Sequence, residues 1–239
     1  MHPSLTQTDH RPWPLPGAAW VWRQSWVDLC FIHYRVTRSQ IAPLLPAGLE
    51  LDTYDGQVWI GVVPFRMEDV SRRGLPAVLG LGDFPELNIR TYVTCGGKPG
   101  VWFFSLDAGN SLAVWGGRRF FDLPYHRAAF SIRRRGDEFD YSAVRGDRRF
   151  AATFSAGQFA PSTAGSFEHW ATERYCLYAV DGARRLHRVE VHHPKWPLQE
   201  ACVDIRENSL TDFPLGAMHR SVLFSKRVDV VAWPKERVP

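Results

Sequence analysis

Lysine is scarce in this chain. Lys98, Lys195, Lys226 and Lys235 are the only four in 239 residues, and arginine supplies the rest of the 29 basic side chains. Cysteine is equally thin: Cys30, Cys95, Cys176 and Cys202 stand far apart with no C-x-x-C pair, so buried free thiols are expected rather than a zinc site or a redox motif. No window of 18 apolar residues exists, which excludes a membrane-spanning helix. G-x-S-x-G, Walker, G-x-G-x-x-G and H-E-x-x-H sequences are all missing. No nucleophile elbow, nucleotide cofactor or metal is therefore expected. Gly80-Leu81-Gly82 is a lone G-x-G without strand-turn-helix context and reads as a loop. Residues 1–17 carry Pro3, Pro12, Pro14 and Pro16 with little apolar run, so they read as a flexible arm, neither signal peptide nor span. A cytoplasmic location is the expectation.

What remains is ordinary globular material: 45% hydrophobic, 13% aromatic and 23% charged, too apolar for a disordered chain. The net charge of +4 is a mild excess. Its densest stretch, Arg133 to Arg135 followed by Arg145, Arg148 and Arg149, flanks two Gly-Asp turns. Charged hairpin tips that protect sheet edges explain it better than a nucleic-acid face, so no nucleic-acid or membrane partner is expected.

Aromatic and branched runs bounded by Gly, Pro and Asp predict roughly ten strands: Trp20 to Tyr34, Gln57 to Met67, Leu87 to Thr94, Val101 to Leu106, Tyr125 to Arg133, Glu138 to Val144, Arg149 to Phe154, Leu186 to His193, Cys202 to Glu207 and Val222 to Trp233. Helices are short: Ser39 to Leu45 behind a Thr37 cap, Asn110 to Phe120, and a turn opening at Ser166. The fold class is mainly β with an α+β minority, an antiparallel cone or barrel-like double sheet with two or three short helices, in one domain over residues 18–239.

On a strand over PELNIRTYV, Glu86, Asn88 and Arg90 share one face and Leu87 and Ile89 the other, with about 6.7 Å between successive same-face residues. A carboxyl, an amide and a guanidinium in one row could hold and protonate a small polar ligand, or simply face water. In HRVEVHH the adjacent His192 and His193 point to opposite faces, so a shared metal is not expected. His169 and Glu173, four apart, fit a capped helix better than a ligand pair. Some of the ten tryptophans would suit the wall of an apolar pocket.

Several longer segments carry a resemblance: LLPAGLELDTYDGQVWIGVVPFRM (44–67), FPELNIRTYV (84–93), GVWFFSLDAGNSLAVWGGRRFFDLPYHRA (100–128), TERYCLYA (172–179) and HHPKWPLQEACVDIREN (192–208). Together they resemble a bacterial family of uncharacterised proteins, a domain of unknown function grouped with the acetoacetate decarboxylase-like superfamily. That enzyme uses a Schiff-base lysine activated by a second lysine. Its helix ends in G-R-E and leads, six residues after the Arg, into P-K-K. Here Gly117-Arg118-Arg119 leads to Pro124-Tyr125-His126, which sets Tyr125 where the resemblance implies the lysine. Glu86 corresponds to the family's pocket glutamate and Arg118 to the arginine near the helix end. A further family acid is missing, since Gly61 and Val62 occupy its neighbourhood.

The resemblance implies a decarboxylase-like pocket without amine chemistry. Glu86, Tyr125 and His126 are the expected proton-transfer groups, and Arg118, Arg90 and Asn88 the expected contacts to an anionic small molecule. Two readings stay open: an enzyme doing acid/base chemistry on a carbonyl or carboxylate compound, and a non-catalytic protein that binds a small anion. The superfamily's habit of assembling implies a homo-oligomer.

Overall fold

A computed structural model describes residues 2–76, 80–216 and 221–238. The strands are β1 (Trp22–Val36), β2 (Glu50–Leu51), β3 (Val58–Arg72), β4 (Phe84–Cys95), β5 (Lys98–Ala108), β6 (Tyr125–Arg127), β7 (Ala129–Arg135), β8 (Glu138–Arg145), β9 (Arg148–Phe159), β10 (Cys176–Val180), β11 (Leu186–His192), β12 (Leu198–Asn208), β13 (Ser221–Ala232) and β14 (Glu236–Arg237). Three helices interrupt them: α1 (Arg38–Ile41), α2 (Ser111–Phe121) and α3 (Phe167–Thr172). Among the described residues, no helix is long and apolar enough to cross a membrane.

Seven strands close on themselves in the order β1, β3, β4, β5, β10, β11, β13. The seam is the antiparallel match of Val191 with Ala232 and His192 with Val231, after which β13 pairs with β1 along nearly its whole length. β13 belongs to two sheets. Its first half also pairs with β12, and the chain of pairings continues through β9 and β8 to β7. This second layer folds back over the outside of the ring. Ile32, Ile60, Val62, Leu87 and Ile89 on ring exteriors pack there with Phe139, Tyr141, Phe150 and Phe154.

Strand alternation sends one set of side chains to that outer core and the other to the ring interior. In β1 the parity flips at Asp28, where φ is +52° and the register with β3 is shifted. Trp22, Gln24 and Trp26 line the interior before this irregularity, and Leu29 and Phe31 after it. Asp accepts such a backbone more readily than most side chains, and the Arg66 guanidinium donates to its carboxylate at 3.2 Å. Asp69, with φ +55°, makes the same switch in β3 between Met67 and Val70.

The mainly β class, the barrel-like closure and the mainly antiparallel pairing agree with expectation; the exceptions among the described strands are β10 and β6, which both run parallel to β5. The single strand expected over Tyr125 to Arg133 is two, β6 alongside β5 and β7 in the outer sheet, with Ala128 buried at the break. β10 was not anticipated. α1 is shorter than the predicted segment, giving way to a 3-10 turn at Ala42–Leu44 where Pro43 sits, while Thr37 and Gln40 form a capping box as its sequence suggests. Residues 2–16 make specific contacts rather than hanging loose. Arg11 is buried with its Nη2 on Glu190 Oε2, Trp13 Nε1 donates to the same oxygen at 2.9 Å, and Lys98 Nζ reaches Glu190 Oε1 at 2.6 Å. His192 Nε2 meets the Ser4 carbonyl at 2.9 Å. Two arginines of the basic hairpin tips pair with acids from elsewhere in the fold, Arg145 with Asp107 of β5 and Arg148 with Asp212 beyond β12.

β10 crosses β5 at Gly100, where an added Cβ would stand 2.6 Å from the Cys176 carbonyl oxygen. Gly100→Ala is therefore expected to cost about 1–3 kcal/mol in denaturant unfolding through overpacking. Gly182→Ala, with open space around it, should stay within about 0.5 kcal/mol of the parent. Equal effects would contradict the close crossing.

Candidate functional site

Inside the ring lies a cavity of about 140 Å³ that opens to the surface at one end. Its wall is mostly aromatic and aliphatic, including Trp26, Phe31, Phe65, Phe103 and Trp196. One strand supplies a row of polar groups: after Phe84, Glu86, Asn88 and Arg90 of β4 follow one another along the wall, and Gln24 of β1 and Tyr125 of β6 add an amide and a phenol. The alternation expected of PELNIRTYV holds, and the face carrying this triad points into the protein. Leu87 and Ile89 face the outer sheet, so both sides of β4 are buried.

The two ends of the row differ. At the Glu86 level β4 pairs with the end of β5 at Ala108, which leads into α2. Leu112, Ala113, Gly116, Gly117, Phe120 and Phe121 of that helix roof the cavity, and Leu112 and Phe120 are also exposed, so the rim lies here. At the other end Arg90 donates from Nη2 to the Ala171 carbonyl of α3 at 3.4 Å. Its guanidinium lies 5.4 Å from the Phe31 ring centre and 5.7 Å from that of Tyr92. Trp170 of α3 packs on Tyr92 with ring centres 4.4 Å apart, closing this end.

Glu86 is 1% exposed. Burial pushes its carboxyl up to about 8, an effect that the Tyr125 hydrogen bond opposes and the Asp107 charge reinforces. Tyr125 Oη donates to Glu86 Oε2 at 2.8 Å, and burial together with Glu86 holds the phenol well above its ordinary value. Tyr141 Oη donates to the Glu86 backbone carbonyl at 2.8 Å from the outer sheet, fixing the strand beneath the acid. At neutral pH this is a protonated acid paired with a neutral phenol.

Arg90 lacks any such compensation. Arg11 and Arg174, also buried, pair with Glu190 and Asp52. No carboxylate lies within ion-pair distance of Arg90 among the described residues, and its Nε has no hydrogen-bond partner. Asn88 Oδ1 is equally unpartnered, and the two side chains' residues are only 9% and 6% exposed. Buried polar groups are normally satisfied.

Two expected site residues lie elsewhere. Arg118 is exposed and does not line the cavity; its Nε donates to the Tyr125 carbonyl at 2.7 Å from outside. Gly117 packs against the Tyr125 ring, and the next residue on a helix is turned about 100° away from that contact. His126 borders a separate groove with Asp122 and Arg145. Tyr125 faces inward, so its neighbour on the strand faces out. Burial lowers the His126 pKa first, and the Arg145 and Arg118 charges lower it further. Arg90 supplies the cation that Arg118 was expected to bring. None of the four lysines lines the cavity: Lys98 and Lys235 pair with Glu190 and Asp122, and Lys195 and Lys226 are exposed. The lining tryptophans were legible only as a class, because which of ten face inward depends on parity switches such as Asp28.

Because the folded protein keeps a proton on Glu86 that the unfolded chain releases above its ordinary 4.5, stability from this group falls as pH rises from about 4.5 to 8 and is level beyond. Glu86→Gln removes that loss. The variant should gain on the parent by up to about 1.4 kcal/mol per pH unit across the window in urea titrations; a gap that stays constant from pH 5 to 8 would contradict a neutral buried acid. A Cβ at Gly117 would stand 2.2 Å from Tyr125 Cδ2. Gly117→Ala should therefore push the ring off Glu86, and the midpoint of the same pH profile should move upward, since a bond that lowers the pKa is lost. An unmoved midpoint would show that the helix, not the phenol, gives way.

The family model DUF2071, described as an uncharacterized conserved protein, matches residues 23–229. Uncharacterized protein YqjF of Bacillus subtilis (strain 168) is 42% identical over 227 residues, covering 92% of this chain and 93% of that one. Among solved structures, acetoacetate decarboxylase from Legionella pneumophila superposes with a TM-score of 0.69 at 14% identity, over 100% of this chain and 96% of the other. The enduracididine biosynthesis enzyme MppR, complexed with pyruvate, gives 0.66 at 14% identity over 95% and 91%. An acetoacetate decarboxylase-like enzyme from Sphingomonas wittichii RW1 gives 0.62 at 15% identity over 95% and 98%. At these identities the likeness to the solved structures is one of fold. Matched across most of its length, the chain belongs to the DUF2071 family and has the acetoacetate decarboxylase-like fold.

Proposed function

We propose that this protein is a small-molecule enzyme that performs acid/base chemistry on a carbonyl or carboxylate compound inside the ring, without forming a Schiff base. The observation that carries the reading is the buried guanidinium of Arg90, which has no carboxylate partner in a cavity whose acid, Glu86, is held neutral. Leaving a charge buried and alone is costly, and an anionic ligand removes that cost. The row therefore divides the work: Arg90 takes the anion, Asn88 orients the ligand through its free amide oxygen, and Glu86 meets the reacting oxygen.

Tyr125 occupies Oε2 of Glu86, which leaves Oε1 to carry the proton. When solvent takes the proton next to the ligand's carbonyl, the C–H electron pair moves into the carbonyl group and its oxygen takes the Glu86 proton to give the enol; the Tyr125 hydroxyl stabilises the carboxylate left behind until solvent returns a proton to it. General acid catalysis of this kind contributes about 10²- to 10⁴-fold. Tyr125 stands where the resemblance implies a Schiff-base lysine, and no amine borders the cavity. That MppR, a protein of the same fold, is complexed with pyruvate supports an oxo carboxylate as the general ligand class. The missing amine equally favours a second reading, a binding protein that recognises an anion and leaves it unchanged.

Incubation with a panel of oxo and hydroxy acids in deuterated buffer, followed by NMR, separates the two. Catalysis predicts exchange or turnover that drops at least about 100-fold in Glu86→Gln, while calorimetric binding persists in that variant and is lost in Arg90→Met. Binding with the same null turnover in wild type and Glu86→Gln would leave the anion-binding reading standing alone.

A further inference from the structure

We infer that the ligand is an elongated monocarboxylate with an apolar body, its carboxylate on Arg90 and a second oxygen function near Glu86, rather than a compact oxo acid whose carbonyl adjoins its carboxylate. The inference rests on the proposed anion-binding role of Arg90 and adds a length and an orientation to it. Its basis is the spacing of the row. Glu86 and Arg90 are four residues apart on one uninterrupted strand, so their backbones are separated by about 13 Å.

The ends are fixed independently. Arg90 is tied to the closed end by the Ala171 carbonyl of α3 and by its place over Phe31 and Tyr92. Glu86 is tied to the rim end by Tyr125, which packs under Gly117 of α2. Neither side chain is free to slide along the cavity toward the other. A compact oxo acid that reaches the guanidinium leaves the acid untouched.

Between the two ends the wall offers Phe31, Phe65, Phe103 and Leu106 around the amide of Asn88. Such a lining desolvates methylene or aryl groups well and charged ones poorly. The carboxylate enters first, because the guanidinium lies at the closed end and the exposed Leu112 and Phe120 mark the rim. Among the described lining residues Arg90 is the one cation, so a second carboxylate at the Glu86 end would be buried without a partner, which makes the ligand a monoanion with an uncharged oxygen at its outer end.

The test is a calorimetric series on the full chain with pyruvate, 4-oxopentanoate and 7-oxooctanoate, repeated with Arg90→Lys and Glu86→Gln. Affinity should rise along the series by about fourfold per added methylene. Glu86→Gln should change the affinity of 7-oxooctanoate and leave that of pyruvate as it was, while Arg90→Lys weakens every member. Equal affinities across the series, with binding still dependent on Arg90, would overturn the length assignment and leave the anion site intact. No binding by any member, or binding indifferent to Arg90→Lys, would overturn both. The wild-type series alone decides the length question if either variant fails to fold.

Discussion

A guanidinium buried without a counter-ion among the described residues sets the chemistry of the cavity. By itself Arg90 costs stability, since a buried charge recovers its desolvation only through a partner, and the surrounding structure holds it in place nonetheless. The ring closed by β11 and β13 shelters it, the outer sheet covers the back of its strand, and α3 supplies one carbonyl and aromatic packing. Arg11 and Arg174 show that the same fold pairs other buried arginines with acids. Arg90 is left open on the one surface that borders a cavity.

The second layer explains how a polar row can be so dry. A seven-stranded ring alone would leave the outer face of β4 wet, and Glu86 would sit one strand's thickness from solvent. Folding β7, β8, β9 and β12 over that face buries Leu87 and Ile89 and brings Tyr141 to the Glu86 carbonyl. Desolvation of Glu86, and so its neutrality near pH 7, is a consequence of that layer as much as of the cavity itself. Tyr125 completes the pair from β6, which is placed by its parallel match to β5 and by the close seat of its ring under Gly117.

Much of this was legible in the sequence, for particular reasons. Period-2 alternation in PELNIRTYV put Glu86, Asn88 and Arg90 together, and the resemblance of the α2 segment to decarboxylases set Tyr125 in the lysine's position. Whether the β4 face met water or a cavity was not legible, because the answer lies in long-range pairing of residues 129–208. Arg118 and His126 were misplaced by one step each, on elements where one step reverses or rotates direction: Gly117 and Tyr125 take the inward positions, so their neighbours cannot. The parallel partners of β5 left no local trace. Nor did the anchoring of residues 2–16, which hangs on single side chains such as Arg11 amid prolines that read as a loose arm.

If the Arg90 guanidinium receives the anion of the ligand, its own signals report the event. The most direct test is to follow the side-chain Nε–H resonance of Arg90 by nitrogen-15 NMR, assigned with Arg90→Lys, while a monocarboxylate is titrated in. This resonance should move downfield and become protected from solvent exchange at saturating ligand. A ligand that binds while the Arg90 signal stays fixed, or that shifts only the arginines of the hairpin tips, would contradict it.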